Sequence, residues 1–142
     1  MRITLALVVI AAAAAAGVLR AQDTRTVWDG VYTEAQAKRG EAIYFEGCVR
    51  CHGPSLMGGT DGAGPLTGPT FNGNWNGVPL GAMADRMRMT MPLDKPASLS
   101  RQQTADVLTY IFSVNKMPAG KAELPRQAEM LNLIQFKATK RP

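Results

Sequence analysis

Three observations in the amino-acid sequence predict an all-α fold. Two stretches open with capping boxes, Thr33 with Gln36 and Ser100 with Gln103, in which side chains three residues apart satisfy free N–H groups of a helix start. The apolar residues after each box recur at intervals of three and four, the period of one helix face. No βαβ pattern runs through the 142 residues.

The chain begins with Arg2, a predominantly apolar run from Ile3 to Ala16, and a small-residue exit over Gly17 to Ala21. This is the pattern of a secretory signal peptide over residues 1–21, with the mature chain beginning at Gln22. The run approaches the ~17-residue lower limit for a spanning helix, so a retained segment would act as a membrane anchor. Export implies a periplasmic location and oxidising surroundings for the cysteines. Without Arg2 and Arg20 the 16 Lys and Arg become 14 against 11 Asp and Glu, a balance that implies no nucleic-acid partner. Residues 22–142 suit one domain and contain no internal repeat.

A first helix is predicted from Glu34 to Glu46, with Ala37, Gly40, Ile43 and Tyr44 at helical spacing. Gly40 in its interior costs about 1 kcal/mol relative to Ala, so it marks either a close helix contact or a tolerated poor residue. From Gly53 to Gly73, recurring Gly and Pro break any period and predict a long loop, anchored by Leu56, Met57, Leu66 and Phe71. A short helix follows from Leu80 to Met89, with Met83 and Met87 on one face. It ends at Thr90-Met91-Pro92, because the residue before proline favours extended backbone. The clearest helix starts after Ser100 and carries Thr104, Val107, Leu108, Ile111 and Val114 as a stripe up to Asn115. A weaker amphipathic helix is predicted from Arg126 to Phe136.

Between the first helix and the loop stands Cys48-Val49-Arg50-Cys51-His52, a C-x-x-C-H pentapeptide that predicts covalent c-type haem attachment. On a helical turn the three side chains leave one side of the backbone, two thiols for the haem vinyl groups and one imidazole for the iron. A closed zinc site would be one strong ligand short, since these are the chain's only Cys and His residues. A redox dithiol would follow a strand, and here the cysteines follow a helix pattern. A plain disulfide would leave the adjacent His52 unexplained. The single histidine also excludes bis-histidine ligation within the chain, leaving a methionine, a lysine or an open site opposite His52. Met57 is too near His52 in sequence, and Met83 and Met87 read as helix packing. Met91 and Met117 both precede proline, Met89 lies two residues before Met91, and Met87 stays open beside them.

The capped helix running into the pentapeptide, the Gly/Pro-rich loop, Met91-Pro92 after a short helix and the strong later helix resemble the class I, single-haem cytochrome c family. The resemblance covers roughly 32–115 and leaves 116–142 as a C-terminal extension. Trp75-Asn76-Gly77 with Thr90-Met91-Pro92 and Ser98-Leu99-Ser100 is most similar to bacterial periplasmic members, including those serving quinoprotein alcohol dehydrogenases. The family fold implies a helical bundle around one covalently bound haem c. In it the first and last helices cross, with Gly40 and Tyr44 meeting Leu108, Tyr110 and Ile111. The resemblance further implies that the Pro65 carbonyl accepts the second imidazole N–H of His52, that Trp75 sits near a haem propionate, and that Met91 is the sixth iron ligand.

The function implied is electron carriage, one electron at a time with iron cycling between ferric and ferrous, without enzymatic turnover. Its partners would be a redox donor and acceptor, such as a quinoprotein dehydrogenase and a terminal oxidase, met by a monomer. An open sixth site would instead make a haem peroxidase or a gas-binding sensor. A third reading makes the chain a bound electron-transfer subunit of a dehydrogenase or oxidase complex, docked through its C-terminal extension. Packing of that extension on its own domain is the expected alternative.

Overall fold

Gly40 sits where the two longest helices meet. The computed structural model describes residues 24–59 and 62–141, so the signal-peptide expectation lies outside the described residues. Helix α1 spans Glu34–Gly47, and the Thr33 side chain accepts the Gln36 backbone N–H at its start. A hydrophobic pair alone would not bring it against the long later helix as closely as is seen. A Cβ on Gly40 would overlap the Asp106 carbonyl, so only glycine permits this crossing. The later helix, α5 in chain order, spans Arg101–Val114, and its Ser100–Gln103 capping box is reciprocal. One turn beyond the crossing, the Tyr44 and Tyr110 rings lie 5.2 Å apart.

Charge reinforces the crossing. Arg39 on α1 forks onto Asp106 of α5 with two N–H···O contacts of 3.1 and 3.2 Å. The Asp106 side chain is only 5% exposed, and Gln102 donates it a further bond at 2.8 Å. A buried carboxylate is tolerable only when paired and hydrogen-bonded in this way.

Between these helices the chain forms α2 over Val49–His52, α3 over Gly68–Trp75 and α4 over Leu80–Thr90. The predicted loop therefore ends early: its last third is helix α3. Pro69 stands in the first turn, where its missing N–H costs nothing, and Phe71 is buried against Trp75 and Phe136. Counting Gly and Pro as breakers hid a helix that one serves to start.

The C-terminal part differs more. The predicted helix from Arg126 to Phe136 shrinks to α6, Ala128–Leu131, followed by strand β2 at Ile134–Gln135. Strand β2 pairs in parallel with β1, Arg25–Thr26, matching Arg25 with Ile134 and Thr26 with Gln135. Phe136 then donates its N–H to the Val78 carbonyl, and Gly77 donates to the Phe136 carbonyl. These partners lie far away in sequence, so a local apolar period cannot reveal them. The architecture stays all-α in character, with this two-stranded ribbon as its only sheet among the described residues.

The core does not stop at 115. Met117, Leu124, Leu131, Ile134 and Phe136 are buried in the same cluster as Tyr44, Leu108 and Phe112. Gln36 clasps Leu124 from both sides, donating to its carbonyl at 3.0 Å and accepting its N–H at 2.6 Å. Tyr32 donates to the Met117 carbonyl at 2.6 Å. The C-terminal segment thus packs on its own domain through these residues, while Met130 and Leu133 in the same segment stay exposed.

Candidate functional site

Helix α1 delivers the pentapeptide. Cys48 ends α1 and starts α2, with its carbonyl accepting the N–H of Cys51 at 3.2 Å and of His52 at 3.0 Å. That helical turn puts Cys48, Cys51 and His52, all half-buried, on the wall of one cavity of about 330 Å³. Tyr44, fully buried one turn earlier, donates its hydroxyl to the Gly53 carbonyl at 2.6 Å and so holds the exit of the turn. Both cysteines are free thiols. Burial, and then the neighbouring Cys51 thiol, pushes the Cys48 thiol up to about 11, so it remains protonated near neutral pH.

His52 is oriented by the loop. Its Nδ1 lies 3.0 Å from the Gly64 carbonyl. With the proton on Nδ1, that N–H donates to Gly64 and the lone pair is left on Nε2 for a metal. The resemblance put this acceptor at Pro65; the structure puts it one residue earlier, and Pro65 is not among the cavity-lining residues. The reason lies in how the loop is hung. Leu66 donates its N–H to the Leu56 carbonyl at 2.8 Å, while its own carbonyl accepts from the Asn115 amide at 3.0 Å. With Leu66 held at both ends, the carbonyl that reaches the imidazole is the one entering the proline ring. Asn115, the residue that caps the end of α5, is a loop clamp that periodicity could describe only as a helix end.

The remaining wall comes from three helices. Phe71 and Trp75 of α3, Met83 and Met87 of α4, and Val107, Leu108 and Ile111 of α5 line it, followed by Met91 and Leu93 beyond α4. Met91 caps α4 in extended backbone, φ −124° and ψ 149°, with its N–H held by the Met87 carbonyl at 2.8 Å. Three methionines therefore reach the cavity. Met57 and Met89 are exposed, and Met117 is buried elsewhere, under Tyr32. At the rim, Arg50 stands 3.6 Å from Asp94, and Arg86 adds a second guanidinium. Among the described residues, no group of three or more His, Cys, Asp or Glu side chains is placed to hold a bare metal ion.

Two thiols, one oriented imidazole and three methionine side chains on a mostly apolar cavity suit a haem. That chemistry, inside an all-α fold, defines a haem-binding electron-transfer domain of the cytochrome c type. The family model described as Cytochrome C oxidase, cbb3-type, subunit III matches residues 35–111, more than half of the chain, and the chain belongs to that family. The match runs from α1 into α5 and includes the pentapeptide, the His52 loop and Met91. No curated protein and no solved structure matches the chain.

Proposed function

We propose that the chain is an exported, periplasmic cytochrome with a single haem c, carrying one electron at a time between redox proteins. The observation that supports it is one cavity lined by Cys48, Cys51, His52 and Met91. Haem c, when bound, supplies the Fe(III)/Fe(II) couple. The Cys48 and Cys51 sulfurs would tether it, and His52 would offer Nε2 to its iron, with the Gly64 carbonyl orienting the ring through Nδ1.

Met91 is the sixth ligand in this reading. It ends α4 on extended backbone, whereas Met83 is buried in the core and Met87 packs against it. A thioether favours ferrous iron and closes the site to small molecules, which makes the domain a carrier and not an enzyme. Phe71, Leu108 and Ile111 keep water away, so little reorganises when the charge changes.

Donor and acceptor are proteins such as a quinoprotein dehydrogenase and a terminal oxidase, and the chain acts as a monomer. The family description names a subunit of an oxidase, which favours an oxidase as the acceptor side and keeps a bound subunit as the second reading. No helix among the described residues is long and apolar enough to cross a membrane, so membrane attachment would depend on retention of residues 1–21.

Spectra of the exported protein test this reading. The expected result is covalent haem that survives denaturing electrophoresis, low-spin ferric haem with the weak far-red band of methionine ligation, and slow carbon monoxide binding after reduction. The Cys48→Ser/Cys51→Ser protein should carry no haem stain. High-spin ferric haem with fast carbon monoxide binding would establish an open site, hence a peroxidase or gas sensor.

A further inference from the structure

Two of the three longest helices start on their own side chains, and α4 does not. Helices α1 and α5 open on Thr33 and Ser100, whose hydroxyls accept an N–H of the first turn. Helix α4 opens on Pro79 in extended backbone with no side-chain cap, although it carries Met83 and Met87 and ends at Met91. Its start is held instead by the C-terminal segment. Phe136 donates its N–H to the Val78 carbonyl at 2.9 Å and its carbonyl accepts from Gly77 at 2.8 Å, while Pro79 bridges Gln135 and the Asn76 side chain accepts the Ala138 N–H at 3.1 Å. The first turn of α4 then lies directly on α6. Gly81 is buried there, and a Cβ on it would overlap the Asn132 side-chain amide and come within 3.3 Å of the Ala128 carbonyl.

The Phe136 ring carries this support to the cavity wall. It packs edge-on against Phe71 at 5.5 Å and beside Phe112 at 6.2 Å, and Phe71 lines the cavity that Met91 reaches. Neither Gly81 nor Phe136 lines that cavity, so each acts on it through other groups. Resting on the haem-binding reading above, we propose that residues 128–138 form a seat for α4 that positions the sixth ligand, with Gly81 and Phe136 as the positioning residues. An 11-residue helix is a stiff rod rising about 1.5 Å per residue, so the placement of its first turn is carried to Met91 at its far end. That far end has no comparable hold, because beyond Met91 the chain runs through the exposed Leu93 and Asp94. The seat lies wholly beyond residue 111, where the family match ends.

The test is the affinity of the ferric, haem-loaded protein for added imidazole. Imidazole binds only where the sixth ligand has left, so its apparent affinity follows the fraction of open sites. Gly81→Val wedges α4 against the Ala128 carbonyl while replacing glycine with a better helix former, and Phe136→Leu shrinks the ring under Phe71. In both variants the affinity should rise about three- to tenfold, and the far-red methionine band should weaken. Leu124→Ala is the control, since Leu124 is buried in the same segment but clasped by Gln36 of α1. It should lose at least as much stability and yet keep the parent affinity. A parent-like affinity in both seat variants, or an equal rise in Leu124→Ala, would overturn the proposal. If neither seat variant loads haem, Asn76→Ala decides alone, because it removes one exposed hydrogen bond to the segment and leaves the core intact. A rise of about twofold there supports the seat, and no rise overturns it. A parent protein without covalent haem would overturn the haem-binding reading, and a parent without the methionine band the Met91 reading, which separates those failures from failure of the seat.

Discussion

Where α1 crosses α5, backbone meets backbone at Gly40, and an arginine, a glutamine and a buried aspartate close the joint. Where α4 gives way to Met91, the chain is half-exposed, Leu93 is 72% exposed, and the nearest ion pair is Arg50–Asp94 with both side chains mostly in solvent. The first region presents the pentapeptide and leaves no room to move. The second carries the expected sixth ligand on extended backbone at the cavity edge. Under the proposed haem reading, the tight crossing would hold the attachment turn and the more exposed rim would make the second ligand the adjustable part of the site.

Substitutions should separate these two regions, the crossing through stability and the rim through spectra. The largest effect is expected for Gly40→Val, whose side chain would run into backbone that cannot rotate away. It should lose about 3 kcal/mol in denaturant unfolding. A parent-like midpoint would mean that the helices do not cross so closely. Arg39→Gln should cost less, about 1–2 kcal/mol, because Gln102 still serves Asp106 and Arg39 is half-exposed. Its spectrum should remain that of the parent.

At the rim the signs reverse. Met91→Ala should change stability by only about 1 kcal/mol, since the side chain is half-buried, yet convert the iron to a high-spin or water-ligated form. An unchanged spectrum would move the ligand to Met87 or Met83, the other methionines on the cavity. Asp94→Asn should be the mildest, below about 0.5 kcal/mol, because exposed ion pairs are solvated and screened. Its expected mark is a modestly faster displacement of the sixth ligand by added imidazole. A stability loss comparable to that of Arg39→Gln would show that the rim is as tightly built as the crossing.

Most of the helical frame was legible. The boxes at Thr33 and Ser100 work within three residues of themselves, so α1 and α5 start where they predict. Helix α3 was hidden because Gly68 and Pro69 are both breakers in general and starters in this place. The β1–β2 ribbon was hidden because its hydrogen bonds join residues about a hundred apart, and two-residue strands carry no period. The site shows the same division. Cys48, Cys51 and His52 announce themselves by spacing, whereas Gly64 and Asn115 act through backbone and amide atoms that any residue pattern leaves silent.

The sequence by itself determined the all-α class, the C-x-x-C-H turn and the two capped helices. Those features rest on local chemistry: caps, helical period, and three reactive groups within one turn. Only the tertiary structure decided that the His52 partner is Gly64 and not Pro65, and that residues after 115 complete the core. It also decided which methionines reach the cavity. These depend on which distant atoms meet, and long-range packing and hydrogen bonding select that meeting after the local structure has formed.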